Sequence, residues 1–204
     1  MITPTQQVAA RVAKNTVAQI VAMAATIVSK LLITIVIGRW FGAERMGDYA
    51  AIMTFSLLFT FLASLGLHWT LIRETATHLE EIHRYAGNGI SLVFISGLLT
   101  IPIMIGVAAG LGYRHELLVA VGLAGLALMV DCLAQLVGAV FNGMERMELG
   151  AAIIIAQEVT FLLIGLLVLW LRLPFLWLFG VYVPSRLIGL VAAFIFYRRV
   201  LGEG

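Results

Sequence analysis

The sequence is poor in the residues that build disulfide and metal sites. Its 204 residues include a single cysteine, Cys132, which lies inside an apolar run. One cysteine excludes a disulfide framework and a thiolate metal cluster within the chain. The four histidines are too scattered to place two ligands on one helix face; they are His68, His78, His83 and His115. The sequence therefore predicts no metal site and no cofactor.

Charged residues are scarce as well, at 12% of the chain, whereas 62% of the residues are hydrophobic. With a mean hydropathy of +1.05, the chain has too little polar surface to cover a soluble globule, and we expect an integral membrane protein. A net charge of +2 spread over alternating loops does not favour nucleic-acid binding. Neither a G-x-x-x-x-G-K-[ST] stretch nor a G-x-G-x-x-G turn is present, so the chain is not expected to be an ATPase.

Long apolar runs alternate with short polar segments, which predicts an all-α integral membrane fold, a bundle of six transmembrane helices. Residues 1–14 are predicted to be an amphipathic lead-in, and residues 15–204 the membrane domain. The pair Gly106 and Gly110 has the spacing that lets another helix approach closely. The six predicted spans cover residues 16–38, 48–72, 86–110, 117–141, 151–171 and 175–197.

The distribution of lysine and arginine in the short loops predicts the orientation. Seven of these residues lie on the side of the N-terminus, namely Arg11, Lys14, Arg73, Arg84, Arg146, Arg198 and Arg199. Four lie on the opposite side, namely Arg39, Arg45, Arg114 and Arg172. Both termini are therefore expected to be cytoplasmic.

Four ionisable residues remain inside the predicted spans, namely Lys30, Asp131, Glu158 and Arg186. Each would cost about 2.5 to 3.5 kcal/mol at a helix centre facing lipid, so we expect them to share a protein or water environment. One interpretation is two structural ion pairs, each joining one cation to one carboxylate. The other is a hydrated cavity in which Lys30 and Arg186 bind an anionic substrate, while Asp131 and Glu158 balance charge or couple an ion. Replacing either cation with glutamine is then expected to abolish transport and leave the protein folded.

A further cationic candidate, Arg73, lies with Glu74 at the cytoplasmic end of the second span. It is placed to meet a lipid headgroup at the mouth of such a cavity. A solvated ion pair at a helix end is the simpler interpretation.

Four local motifs resemble those of the polysaccharide-exporter flippases, whose superfamily also contains the lipid II flippases and the multidrug and toxin extruders. The motifs are Asn15 before the first span, the segment GRWFGAERMG at 38–47, the exit from the second span between Gly66-Leu67 and Arg73-Glu74, and FNGMER at 141–146. The match covers nearly all of the chain.

This resemblance implies a flippase that moves an undecaprenyl-diphosphate-linked oligosaccharide across the bacterial inner membrane through a cationic cleft between two helical lobes. Members of that family usually have about twice as many spans, so the resemblance covers the N-terminal lobe. The chain is then expected to be part of a longer protein, or to pair with a second copy or another subunit. Its expected partners are the lipid-linked glycan and membrane lipids.

Two alternatives remain open at this stage. A drug or cation antiporter of the same superfamily would use an acidic cavity, and the equal mix of basic and acidic residues in the spans allows it. A non-transporting scaffold subunit would use the four charges only to select helix partners. An enzyme is not expected, because no catalytic constellation lies at a matched depth in the spans.

Overall fold

The computed structural model describes residues 4–201, and no strand occurs in that range. Short turns separate the helices, and a 3-10 turn, Leu79–Glu81, precedes α3. The helices are α1 (Pro4–Ser64), α2 (Leu67–Thr77), α3 (Ile82–Gly110), α4 (His115–Gly143), α5 (Met147–Trp170) and α6 (Leu176–Leu201). Five of these described helices are long and apolar enough to cross a membrane. The predicted all-α membrane bundle is confirmed, and the chain is a multi-pass membrane protein.

The helix α1 consists of two arms that meet at Gly42, where the backbone leaves the helical region with φ 82° and ψ 178°. At about 1.5 Å per residue, its 61 residues would reach roughly three times the thickness of a hydrocarbon core, so the helix cannot cross the membrane once. The first arm, residues 4–41, runs beside α5 in the same direction, because Asn15 contacts Glu145 and Ser29 contacts Glu158. The second arm, residues 43–64, turns back and runs beside α4, because Arg45 contacts Glu116 and His68, just beyond the arm, contacts the carbonyl of Gln135.

The segment 38–47 lies between the first two predicted spans, where a loop would be expected. Instead it is helical on both sides of Gly42. With the arms of α1 counted separately, residues 4–201 contain six long helical segments. The exact span limits and the separation of residues 1–14 from 15–204 stay predictions. The first arm begins at Pro4 and continues as one helix past residue 14.

The predicted second span, 48–72, is interrupted between α1 and α2. Leu65 and Gly66 have positive φ values of 51° and 68° there. The hydroxyl of Ser96 donates a hydrogen bond to the carbonyl of Leu62 at 2.6 Å, which satisfies one of the groups that the break releases. Irregular backbone inside a bilayer is tolerated where protein or a water-filled cavity surrounds it.

The helix α4 is the centre of the bundle and contacts α1, α2, α3, α5 and α6. Two of its contacts require glycine. A Cβ at Gly97 of α3 would meet Met129 of α4, and a Cβ at Gly143 of α4 would meet Thr75 of α2. The expected close helix approach at Gly106 and Gly110 is absent from the part of the chain that the structure describes, since no neighbouring helix comes within 4 Å of the place that a Cβ would take at either position. Small residues therefore mark close packing only where the rotation of their helix turns them toward a neighbouring helix.

Ion pairs at the two ends of the bundle fix which helix ends are neighbours. At the Gly42 end, Arg45 contacts Glu116 at 3.0 Å and Arg114 contacts Asp48 at 3.2 Å. At the opposite end, which we call the Asn15 end, the amide of Asn15 donates to the carbonyl of Glu145 at 2.8 Å. Two exposed pairs flank that contact, namely Arg11–Glu145 at 3.0 Å and Lys14–Glu148 at 3.3 Å. The exposed pairs add little stability individually.

Candidate functional site

Two adjoining cavities open between both arms of α1 and the helices α4, α5 and α6. Their volumes are about 370 and about 510 Å³, within the range of small-molecule sites. They are parts of one space, which we call the central crevice, because six residues line both. These residues are Lys30, Asp131, Gln135, Glu158, Tyr182 and Arg186. The four ionisable residues of the predicted spans therefore meet at one place.

Arg186 is almost fully enclosed, at 4% exposure, and it binds both carboxylates. Its Nη2 atom lies 3.0 Å from Oε1 of Glu158, which is 2% exposed, and its Nη1 atom lies 3.7 Å from Oδ1 of Asp131. Nη2 also donates to the hydroxyl of Tyr182 at 3.0 Å, and the guanidinium carbon lies 4.5 Å from the centre of that ring. The positive charge of Arg186 is therefore balanced inside the protein.

Lys30 has a different environment, because its side chain is exposed. No carboxylate among the described residues forms an ion pair with it, since Asp131 and Glu158 both face Arg186. Its position is fixed by the preceding residue, Ser29, whose hydroxyl donates to the carbonyl of Glu158 at 3.4 Å. Lys30 is thus the cation of the crevice that has no carboxylate partner among the described residues.

Asp131 is only partly buried, with 21% of its side chain exposed. Its Oδ2 accepts a hydrogen bond at 2.7 Å from the amide of Gln135, one turn along α4. The two predicted structural ion pairs, one for each cation, are not formed in the described residues. A single cation holds both acids instead.

Gln157 orients Arg186 from the side of α5. Its Oε1 accepts a hydrogen bond from Nη1 of Arg186 at 3.2 Å, and since arginine only donates, the amide oxygen must face it. The Gln157 side chain lies directly over Gly189 of α6, where even a Cβ would overlap it. Gly189 therefore leaves the room that brings Gln157 to the arginine.

Arg73 lies away from this cluster and lines neither cavity. It belongs to α2, its side chain is 76% exposed, and its Nη2 atom lies 3.2 Å from Oε1 of Glu74. The contact of Arg73 with a headgroup stays a prediction. The described residues also contain no group of three or more His, Cys, Asp or Glu side chains that could hold a metal ion.

A comparison with known protein families shows which family the chain belongs to. The model of a family described as polysaccharide biosynthesis protein matches residues 12–203. The chain belongs to this family. No curated protein and no solved structure matches it significantly.

Membership in the polysaccharide biosynthesis family supports a role in the export of polysaccharides or lipid-linked glycans in general. Members of this family are typically transporters or flippases, in keeping with the expectation that the chain is not an enzyme. The family also suggests a lipid-linked glycan and membrane lipids as its partners. The resemblance found in the sequence motifs is confirmed at the level of the family.

Several polar residues of the central crevice could not be identified from the sequence. Gln157 was not distinguished from its neighbour Glu158, and Gln19 and His68 were not connected with the cluster. The signal available for each was a polar side chain inside an apolar span. Which of these side chains face the crevice depends on helix rotation, which the spacing along one helix does not fix relative to the others.

Proposed function

We propose that this chain forms one lobe of a flippase that moves an undecaprenyl-diphosphate-linked oligosaccharide from the cytoplasmic to the outer leaflet. Family membership supports glycan export in general. The observation that carries the finer proposal is the position of Lys30, an exposed cation at the boundary of the two cavities. A diphosphate is the part of such a substrate that requires a cation inside the membrane.

In this proposal Lys30 binds the diphosphate directly. Arg186 supports the same site from α6, where its contacts with Glu158 and Asp131 fix the positions of the three side chains beside Lys30. The two acids balance charge, which prevents the crevice from holding an anion too tightly to release it. Arg73 provides a first contact for the headgroup on the cytoplasmic side.

The proposed location is the bacterial inner membrane, with both termini in the cytoplasm. The excess of lysine and arginine at the Asn15 end supports this orientation. The crevice would then be closed on its other side by a second lobe, a second copy of the chain or a partner subunit.

Complementation of a flippase-deficient strain tests the proposal. The chain is expressed alone and fused to the second lobe of a related flippase, and export of the glycan is measured. We expect rescue by the fused form, and loss of rescue in the Lys30→Gln variant. Lys14→Gln is the matched control, because Lys14 is the other lysine of the chain and pairs with Glu148 at the end of the bundle.

The alternatives predict other outcomes of this experiment. A scaffold subunit would be inserted correctly and rescue in neither form. An antiporter of drugs or cations would need an acid open to the cavity, and it would retain transport of a cation in the Lys30→Gln variant while losing it when Asp131 is replaced by asparagine. Rescue by Lys30→Gln at the level of the unmodified chain would contradict the proposed role of Lys30.

A further inference from the structure

The two parts of the central crevice differ in the chemistry of their walls. The smaller cavity, of about 370 Å³, extends toward the Asn15 end, and we call it the amide half. The larger, of about 510 Å³, extends toward the Gly42 end and includes apolar side chains such as Met53, Leu57 and Leu128. Besides Tyr182, whose hydroxyl accepts a hydrogen bond from Arg186, the uncharged polar residues that line the amide half are Gln19, Thr26, His68, Gln135, Asn142 and Gln157.

Lys30 is one of four charged residues that line the amide half, and all four lie at its boundary, because they line the larger cavity as well. The other charged residues that line it are Arg186, Asp131 and Glu158, and these bind one another. With Lys30 included, two positive and two negative groups cancel. Beyond this boundary the described walls carry no charged side chain, so an anionic group placed deep in the amide half would lose its hydration and find no cation beside it.

The uncharged groups present a mixture of donors and acceptors. Each glutamine or asparagine amide carries both, and a sugar hydroxyl also donates and accepts. His68 adds an acceptor, because its Nδ1 lies 3.2 Å from the carbonyl oxygen of Gln135, which can only accept. Nδ1 of the neutral ring must then carry the proton, and Nε2 is left as an acceptor.

These groups come from four separate segments of the bundle. Gln19 lies on the first arm of α1, His68 on α2, Gln135 and Asn142 on α4, and Gln157 on α5. Polar groups that converge from several helices on a cavity provide orientation and specificity for a ligand. A polar surface assembled in this way is suited to a compact ligand with hydroxyls on several sides.

We propose that the amide half binds an uncharged sugar unit of the glycan, a hexose or an N-acetylhexosamine, and discriminates against a uronic acid at that position. This inference rests on the proposed function, since it places the sugar beside a diphosphate bound at Lys30. A uronate carboxylate in the amide half would be removed from water without a cation to balance it. The hydroxyls of a neutral sugar would form hydrogen bonds with the amide groups of the wall in place of those they made to water.

Binding of three lipids to the full chain in nanodiscs tests this inference. The probes are undecaprenyl diphosphate alone, the same lipid with a trisaccharide of neutral hexoses, and the same trisaccharide with one hexose oxidised to its uronic acid at C6. We expect the neutral trisaccharide lipid to bind about tenfold more tightly than the uronate form, and more tightly than the lipid without sugar.

The outcomes separate this inference from the proposed function. Equal binding of all three lipids would support a diphosphate site and overturn the sugar site. Preference for the uronate form would also overturn it. Failure of all three lipids to bind would contradict the proposed function, and the inference would fail with it.

A pair of variants tests the amide contact itself. Gln19→Leu removes one amide from the wall, and we expect it to weaken binding of the neutral trisaccharide lipid about fivefold without changing the binding of undecaprenyl diphosphate. Met23→Leu is the control, because Met23 lies one turn away on the same helix, is 67% exposed and lines neither cavity. Equal weakening of both lipids by Gln19→Leu would indicate a structural role and overturn the proposed contact.

Discussion

Arg186 and Glu158 form an ion pair inside the bundle in which Nη2 of the arginine lies 3.0 Å from Oε1 of the glutamate. The side chains are only 5% and 3% exposed. Asp131 lies on the other terminal nitrogen of the arginine at 3.7 Å. One cation thus joins α4, α5 and α6, while Lys30 on α1 keeps its charge exposed.

Removal of the arginine should therefore destabilise the protein strongly. Arg186→Leu leaves two acids without a cation, and we expect a loss of about 3–5 kcal/mol in the free energy of unfolding. Glu158→Gln should cost less, because Asp131 still binds the arginine. The thermal unfolding midpoint of the purified protein measures both effects.

The same geometry changes the expectation for Arg186→Gln. From the sequence alone this variant was expected to stay folded, but the buried contacts of the arginine indicate a loss of stability as well as of transport. Lys30→Gln should lose transport without that loss of stability. Equal unfolding midpoints for Arg186→Leu, Glu158→Gln and the unmodified chain would show that the pair does not hold these helices together.

A second prediction concerns the contact of Gln157 with Gly189. Gly189→Ala places a Cβ inside the space of the Gln157 side chain, so we expect it to lose about 1–3 kcal/mol and to displace the amide that orients Arg186. Gly180→Ala is the control on the same helix, because no heavy atom lies within 4 Å of a Cβ there. Thermal midpoints of the two variants give the comparison, and a Gly189→Ala midpoint no lower than that of Gly180→Ala would refute the close contact.

A third prediction tests the reversal of α1. At φ 82° and ψ 178°, Gly42 occupies a region that is essentially restricted to glycine, so Gly42→Ala should cost about 1–3 kcal/mol. A Cβ meets nothing within 4 Å at Gly42 or at Gly47, so the two differ in backbone conformation and not in space. Gly47→Ala should therefore be nearly neutral. If both variants unfold at the same temperature, the arms do not reverse through this conformation.

The helical fold and the meeting of the four charges could be predicted because the bilayer imposes both. Apolar runs of this length form helices when no water is present to bond the backbone. Charges in such runs avoid lipid, which brings Lys30, Asp131, Glu158 and Arg186 to one crevice. Their roles toward a substrate stay predictions.

The pairing of these charges could not be predicted, because it depends on helix rotation and crossing. The sequence allowed one acid for each cation, whereas Arg186 binds both. The break at Leu65 was also missed, since the apolar run continues across it and the following Gly66 is its only local signal. Likewise, Gly106 and Gly110 have the spacing of a packing motif, but among the described residues no neighbouring helix comes within 4 Å of the place that a Cβ would take at Gly106.

Thiol labelling of position 30 tests the central claim most directly. Lys30→Cys is made in a Cys132→Ala background, and its reaction with a charged, water-soluble methanethiosulfonate reagent is compared with that of Ile27→Cys. Ile27 is 54% exposed on the same helix but lines neither cavity, so its thiol should face lipid. We predict that Lys30→Cys reacts at least tenfold faster, since only a hydrated thiol ionises readily. Equal, slow reaction at both positions would contradict a hydrated crevice that presents Lys30 to the substrate.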